Sequence, residues 1–157
     1  MAISFNPENE KRLQDLLAKY PTKQSALLPA LYLVQDQEGW VSPEAMEFLA
    51  GRLALSAAYV ESVACFYTMY NKKPVGKYHV QVCTNVSCLI VGAPTIVDRL
   101  KTRLGLEFGE TTADGKFTLT EVECLGACGT APAMQINDDY YENLTPSAVD
   151  EILDRLK

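Results

Sequence analysis

The sequence lacks several features on which common protein functions depend. It contains no glycine-rich P-loop and no dinucleotide-binding fingerprint, so it offers no nucleotide or flavin site of its own. Its 14 basic residues are outnumbered by 20 acidic ones, which gives a net charge of −6, and the basic residues form no cluster that could follow a phosphate backbone. Nucleic acid is therefore not an expected partner.

Long apolar runs and a leader segment are also missing. The most apolar stretches, such as residues 89–91, are far shorter than the ~20 residues that a membrane span requires. The first eight residues have neither the basic start nor the apolar segment of a signal peptide. We therefore expect a cytoplasmic location without direct membrane insertion.

Histidine is almost absent, and cysteine is too sparse and odd in number for a secreted disulfide framework. His79 is the only histidine, which excludes the two-histidine ligation of a Rieske centre. The C-x-x-C pair of a dithiol redox site does not occur among the five cysteines. In a reducing compartment, clustered cysteines more often indicate a metal site than disulfides.

The N-terminal half has the apolar spacing of four short helices. Asn6, Ser42 and Ser56 are suitable N-caps, two of them followed by proline, and Gly39 is a suitable helix stop. These features predict a small helical bundle. The inward positions are expected to be Leu13, Leu16, Leu17, Tyr20, Leu27, Ala30, Leu31, Val34, Met46, Leu49, Ala50, Leu53, Val60, Val63, Ala64 and Tyr67.

A different pattern follows the Pro74 and Gly76 break. Alternating residues predict strands over 78–83 and 117–123, a helix over 96–104 lies between them, and a hairpin over 133–142 precedes a last helix. The second strand is expected to end directly at Cys124. The fold class is therefore α+β or α/β, with a helical region in residues 1–75 and a small α/β domain in residues 76–157.

Four of the five cysteines form two pairs at the ends of the two predicted strands. Cys83 and Cys88 enclose four residues, and Cys124 and Cys128 enclose three. If the strands are neighbours, all four sulfurs can meet at one end of the sheet. Four thiolates supply two bonds to each iron of a [2Fe-2S] cluster and leave no open coordination position. The spacing therefore favours a closed electron-transfer centre.

Structural zinc is the alternative that the spacing leaves open, because it also uses four cysteines. Its pairs usually enclose two residues, so spacings of four and three are less typical of zinc. Cys65 is interpreted as a small buried apolar residue of a helix, and His79 as a surface or packing residue. The carboxylates of Glu121 and Glu123 would disfavour the addition of an electron to a cluster, which predicts a low reduction potential.

Several longer segments carry a family resemblance that covers nearly the whole chain. They are residues 66–70, 76–78, 82–88, 92–93, 114–119, 122–128, 131–132 and 135–138. With these segments the chain resembles the family of NADH-quinone oxidoreductase E subunits, the thioredoxin-like ferredoxin subunits of bacterial respiratory complex I. Two features depart from that pattern. Residues 89–91 are unusually apolar, and Pro94 is expected to interrupt the start of the next helix.

The resemblance implies a thioredoxin-like domain with one [2Fe-2S] cluster on Cys83, Cys88, Cys124 and Cys128. It implies a non-catalytic electron-transfer subunit that docks on the NADH-oxidising flavoprotein subunit of complex I. FMN and NADH would bind only to that partner, and the cluster would lie beside the main electron route. Further peripheral-arm subunits would attach the chain to the inner face of the cell membrane.

Other hosts of the same module stay open. One is the equivalent diaphorase subunit of an NAD-linked hydrogenase or formate dehydrogenase. Another is a free-standing thioredoxin-like ferredoxin, although such a carrier would not need the N-terminal helices.

Overall fold

The computed structural model describes residues 3–156, and the chain divides between Pro74 and Val75 into two compact units. The first unit is helical. Its elements are α1 (Pro7–Lys19), a 3₁₀ turn (Gln24–Ala26), α2 (Leu27–Glu38), α3 (Pro43–Leu53) and α4 (Ala57–Phe66).

Helices of the first unit begin and end where the sequence predicts. The side chain of Asn6 accepts a hydrogen bond from the Asn9 N–H at 2.8 Å, and Ser42 and Ser56 cap α3 and α4 in the same way. Gly39 ends α2 in the left-handed conformation, with φ at 79°. The predicted caps and stop are thus confirmed.

The core of the first unit consists of the apolar faces of these helices. The fully buried side chain of Tyr70 joins it, and the Tyr70 hydroxyl donates to the Leu28 carbonyl at 2.8 Å. Some residues that were predicted to face inward, such as Leu16, Leu17 and Tyr67, are only partly buried but pack against the core. Its fully buried members include Leu13, Leu27, Leu31, Val34, Val41, Leu49, Leu53 and Val60.

The second unit contains one mixed sheet and three helices. In chain order they are β1 (Tyr78–Cys83), α5 (Val86–Ile90), α6 (Ala93–Leu104), β2 (Phe117–Val122), a 3₁₀ turn (Cys128–Thr130), β3 (Met134–Ile136), β4 (Asp139–Tyr141) and α7 (Pro146–Arg155). The strand order is β2-β1-β3-β4, with β1 parallel to β2 and antiparallel to β3. This arrangement confirms the predicted α/β organisation of the C-terminal half.

Helices α6 and α7 pack together and cover the apolar side of the sheet. Ile96 and Leu100 of α6 lie in one cluster with Val80 of β1 and Leu119 of β2. An ion pair between Arg99 and Asp150 links the two helices. The buried residues of β1 and β2 are therefore packed against helix α6.

Three details of the predicted elements are wrong. The second strand ends at Val122, because its partner β1 ends at Cys83, which pairs with Val122. Pro94 does not interrupt α6, since it lies in the first turn, where a missing N–H costs no hydrogen bond. The helix α5 was not predicted.

Hairpin bounds also differ slightly from the prediction. The strands are Met134–Ile136 and Asp139–Tyr141, joined through Asn137 in the left-handed conformation.

Within residues 3–156, no helix has both the length and the apolarity needed to cross a bilayer.

Candidate functional site

The two cysteine pairs lie at the same edge of the sheet. Cys83 is the last residue of β1, and its Cα is paired with that of Val122 on the neighbouring parallel strand. Cys124 follows Val122 after one residue. Because both strands run in the same direction, both pairs follow their carboxyl ends, as the sequence predicts for neighbouring strands.

The first pair is buried. Cys83 is 4% exposed and Cys88 is 2% exposed, and both pack with Ala93 in a small apolar cluster. The Cys83 N–H donates to the Ala133 carbonyl at 3.1 Å, which fixes the end of β1. Cys88 is held by α5, whose N-cap Asn85 accepts from the Val86 N–H at 2.8 Å.

The thiols of this region interact with one another. Burial raises the pKa of the Cys88 thiol, and its hydrogen bond with Cys83 raises that pKa further. Negative charge on Cys83 or Cys128 also raises the pKa of Cys88, whereas a backbone N–H of Ala133 lowers it.

The second pair is exposed and lies on a loop with little regular structure. Gly126, between the two cysteines, has φ at 73° and donates its N–H to the Cys124 sulfur at 3.3 Å. Cys128 begins the 3₁₀ turn that leads toward β3.

The donor set has the number and kind of ligands that a two-iron cluster takes. A [2Fe-2S] cluster requires two thiolates for each iron, and the two cysteine pairs on adjacent loops supply four. Among residues 3–156, the structure does not bring three His, Cys, Asp or Glu side chains together as a ready metal group.

The remaining cysteine and the histidine take no part in this arrangement. Cys65 is exposed on α4, so its interpretation as a buried apolar residue is wrong. It lies on the outer face of the helix, next to Ala64, which is fully buried. His79 forms a side-chain hydrogen bond with Thr120 at 2.8 Å, and burial lowers the pKa of its imidazole. This hydrogen bond joins β1 to β2, so the structure agrees with the predicted packing role of His79.

Residues beside the cysteines contribute features that were not predicted from the sequence. The Thr84 hydroxyl donates to the Glu121 carboxylate at 2.7 Å, which ties the loop after β1 to β2. The short helix α5 exposes Val86, Leu89 and Ile90, and Val91 follows them. The unusual apolarity of residues 89–91 was the signal for this surface.

Comparisons with known proteins agree on one family. The family model described as thioredoxin-like [2Fe-2S] ferredoxin matches residues 13–157. The NADH-quinone oxidoreductase E subunit of Rickettsia bellii is 47% identical over 99% of this chain and 95% of its own length. A protein of Dictyostelium discoideum, named NADH dehydrogenase [ubiquinone] flavoprotein 2, mitochondrial, is 47% identical over 99% of this chain and 64% of its own length.

A solved structure shares the fold. It is an NAD⁺-reducing [NiFe]-hydrogenase in the H₂-reduced state, with a TM-score of 0.72 and 22% identity. The match covers 83% of this chain and 22% of the hydrogenase chain.

Proposed function

Because the chain belongs to the thioredoxin-like [2Fe-2S] ferredoxin family, we propose that it is an electron-transfer subunit of an NADH-quinone oxidoreductase. The cofactor of this family is a [2Fe-2S] cluster. Relatives that match almost end to end are named as the E subunit of that enzyme. The proposal assigns the chain a redox role without a catalytic site of its own.

The proposed ligands are Cys83, Cys88, Cys124 and Cys128. The observation that carries this assignment is the parallel pairing of β1 with β2, which leads both pairs to one edge of the sheet. The contact of the Cys83 thiol with the Glu123 carbonyl at 3.9 Å also supports it, because Glu123 directly precedes Cys124. Cys65 lies in the other unit and is not a proposed ligand.

A cluster held by four thiolates accepts and returns one electron and binds no substrate. The chain's own residues prepare the site for this chemistry. Burial keeps water from the sulfurs of Cys83 and Cys88, and the Gly126 N–H offers a hydrogen bond to the Cys124 sulfur. Such hydrogen bonds and solvent exclusion are among the factors that set cluster potentials.

Alanine substitutions test the ligand assignment. Each of the four variants Cys83→Ala, Cys88→Ala, Cys124→Ala and Cys128→Ala is expected to bind less iron and sulfide, because alanine leaves no donor atom in place of the thiolate. The matched control is Cys65→Ala, which should retain the wild-type two irons per chain. Full iron content in any of the four variants, or its loss in the control, would refute the assignment.

We further propose that the partner is an NADH-oxidising flavoprotein that binds FMN. This chain has no nucleotide-binding motif, so the electrons must come from another protein. The apolar side chains exposed on α5, the helix that carries Cys88, suit a surface covered by a partner. Cytoplasmic attachment at the membrane would then be indirect, through the partner and further subunits.

We propose different roles for the two structural units. All four proposed ligands lie in the second unit, so residues 76–157 would form the ferredoxin domain and residues 1–75 a helical attachment region.

Co-expression with the flavoprotein tests the subunit role. The expected result is a stable complex that contains FMN and both chains in equal amounts. A fully loaded chain that always elutes alone would instead support a free-standing ferredoxin.

A further inference from the structure

One side-chain hydrogen bond joins the two chain segments that carry the cysteine pairs. Thr84 directly follows Cys83, and its hydroxyl donates to the Glu121 carboxylate at 2.7 Å. Glu121 lies on β2, three residues before Cys124. The bond therefore links the loop of the first pair to the strand that leads to the second.

Backbone contacts place this bond at the end of the sheet. The Thr84 N–H donates to the Val122 carbonyl at 3.2 Å, one residue beyond Glu121. The Cys83 thiol lies 3.9 Å from the Glu123 carbonyl that it faces. Contacts to backbone atoms thus already join the two segments. The Thr84 side chain additionally fixes the position of the Glu121 carboxylate.

The charge of that carboxylate matters for electron transfer. One-electron reduction of a cluster adds negative charge, and a nearby carboxylate makes this addition less favourable. Glu121 is exposed, so a freely moving side chain would be screened by water and salt. A hydrogen bond to Thr84 instead holds the carboxylate at the loop that begins directly after Cys83.

We propose that Thr84 and Glu121 form a positioning pair that lowers the reduction potential of the cluster. The inference rests on the proposed function, since it requires a cluster on the four cysteines. Neither residue is a ligand. Glu121 acts through its charge, and Thr84 acts through Glu121.

Variants of the cluster-loaded chain separate charge from structure. In Glu121→Gln, the amide oxygen can still accept the Thr84 hydroxyl, so the main change is the loss of charge. In Thr84→Val, the carboxylate keeps its charge but loses its anchor, whereas Thr84→Ser retains the hydroxyl. The charge control is Glu151→Gln, which removes an exposed carboxylate from α7, a helix without a cysteine.

The readout is the reduction potential, measured by redox titration with the EPR signal of the reduced cluster. The potential of Glu121→Gln should shift to a more positive value than that of Glu151→Gln. Thr84→Val should shift in the same direction by a smaller amount, and Thr84→Ser should stay at the wild-type value. In the Glu121→Gln background, Thr84→Val should add no further shift, because the charge it positions is gone.

Two outcomes overturn the inference and can be told apart from failure of the proposed function. If the wild-type chain holds two irons but Glu121→Gln shifts no more than Glu151→Gln, only the positioning pair is refuted. The same holds if Thr84→Val has the wild-type potential, a test that remains available if Glu121→Gln loads poorly. If the wild-type chain assembles no two-iron cluster, the proposed function falls first and the inference falls with it.

Discussion

The backbone conformation of Gly126 allows a hydrogen bond to the Cys124 sulfur. Its φ of 73° lies in the left-handed region, and this conformation directs its N–H to the Cys124 sulfur. No atom outside its immediate chain neighbours lies within 4 Å of the position that a Cβ would take. The need for glycine here is therefore conformational and not a matter of space.

Replacing Gly126 with alanine should destabilise the second unit by about 1 kcal/mol, the usual scale of the left-handed penalty for an L-residue. Gly129, in the next turn, is the control, because it has no positive φ and space for a Cβ. The free energy of unfolding by urea of the metal-free chain measures both effects. Equal destabilisation by Gly126→Ala and Gly129→Ala would contradict the conformational explanation.

Single residues also show the limits of sequence reasoning. Cys65 was predicted to be buried because it lies between apolar neighbours, yet α4 directs it outward. Pro94 was predicted to disturb a helix, yet it lies in the first turn of α6. Both errors have one cause. The effect of each residue depends on its position relative to a helix end or face, which composition around it does not reveal.

At the scale of elements, α5 is the principal addition to the predicted fold. It has only five residues, too few for a helical period to be visible in the sequence. Asn85 caps it, so its beginning was encoded by a recognisable residue type. Cys88 faces inward from this helix, while Leu89 and Ile90 face solvent.

A charge on α5 should weaken attachment to the flavoprotein. Ile90 is 78% exposed, so Ile90→Asp should fold and load its cluster normally. In the complex, an unpaired carboxylate at this surface should reduce affinity by about tenfold or more, since desolvating it costs more than the ~1.4 kcal/mol that tenfold represents. Pull-down of the flavoprotein across a concentration series measures the change.

The matched control for this surface is Tyr140→Asp, on the edge strand β4. Tyr140 is 51% exposed and, like Ile90, has a large side chain with apolar surface. Its substitution should leave binding of the flavoprotein unchanged. Normal binding by Ile90→Asp, or equal loss in both variants, would show that α5 is not the covered surface.

At the scale of the whole molecule, the sequence predicted the order of the main elements and the sheet edge that carries the cysteines. Helix caps and strand alternation are local signals, so they could be read directly from residues such as Ser42 and Val80. The Thr84 to Glu121 hydrogen bond could not be predicted, because it joins residues 37 positions apart. Such contacts depend on strand register, which the sequence pattern alone left undetermined.

The family assignment and the site geometry support the same central claim, namely one [2Fe-2S] cluster on four cysteines of the second unit. Structural zinc was the alternative that cysteine spacing left open. The two metals differ in stoichiometry and magnetism, since zinc is redox-inactive with a filled d shell. A single preparation of the full chain can therefore distinguish them.

The most direct test is an EPR spectrum of the dithionite-reduced chain, recorded together with metal and sulfide analysis of the same sample. We expect two irons and two sulfides per chain and a rhombic signal of a reduced [2Fe-2S] cluster. One zinc per chain, no iron and no EPR signal would contradict the assignment of a cluster.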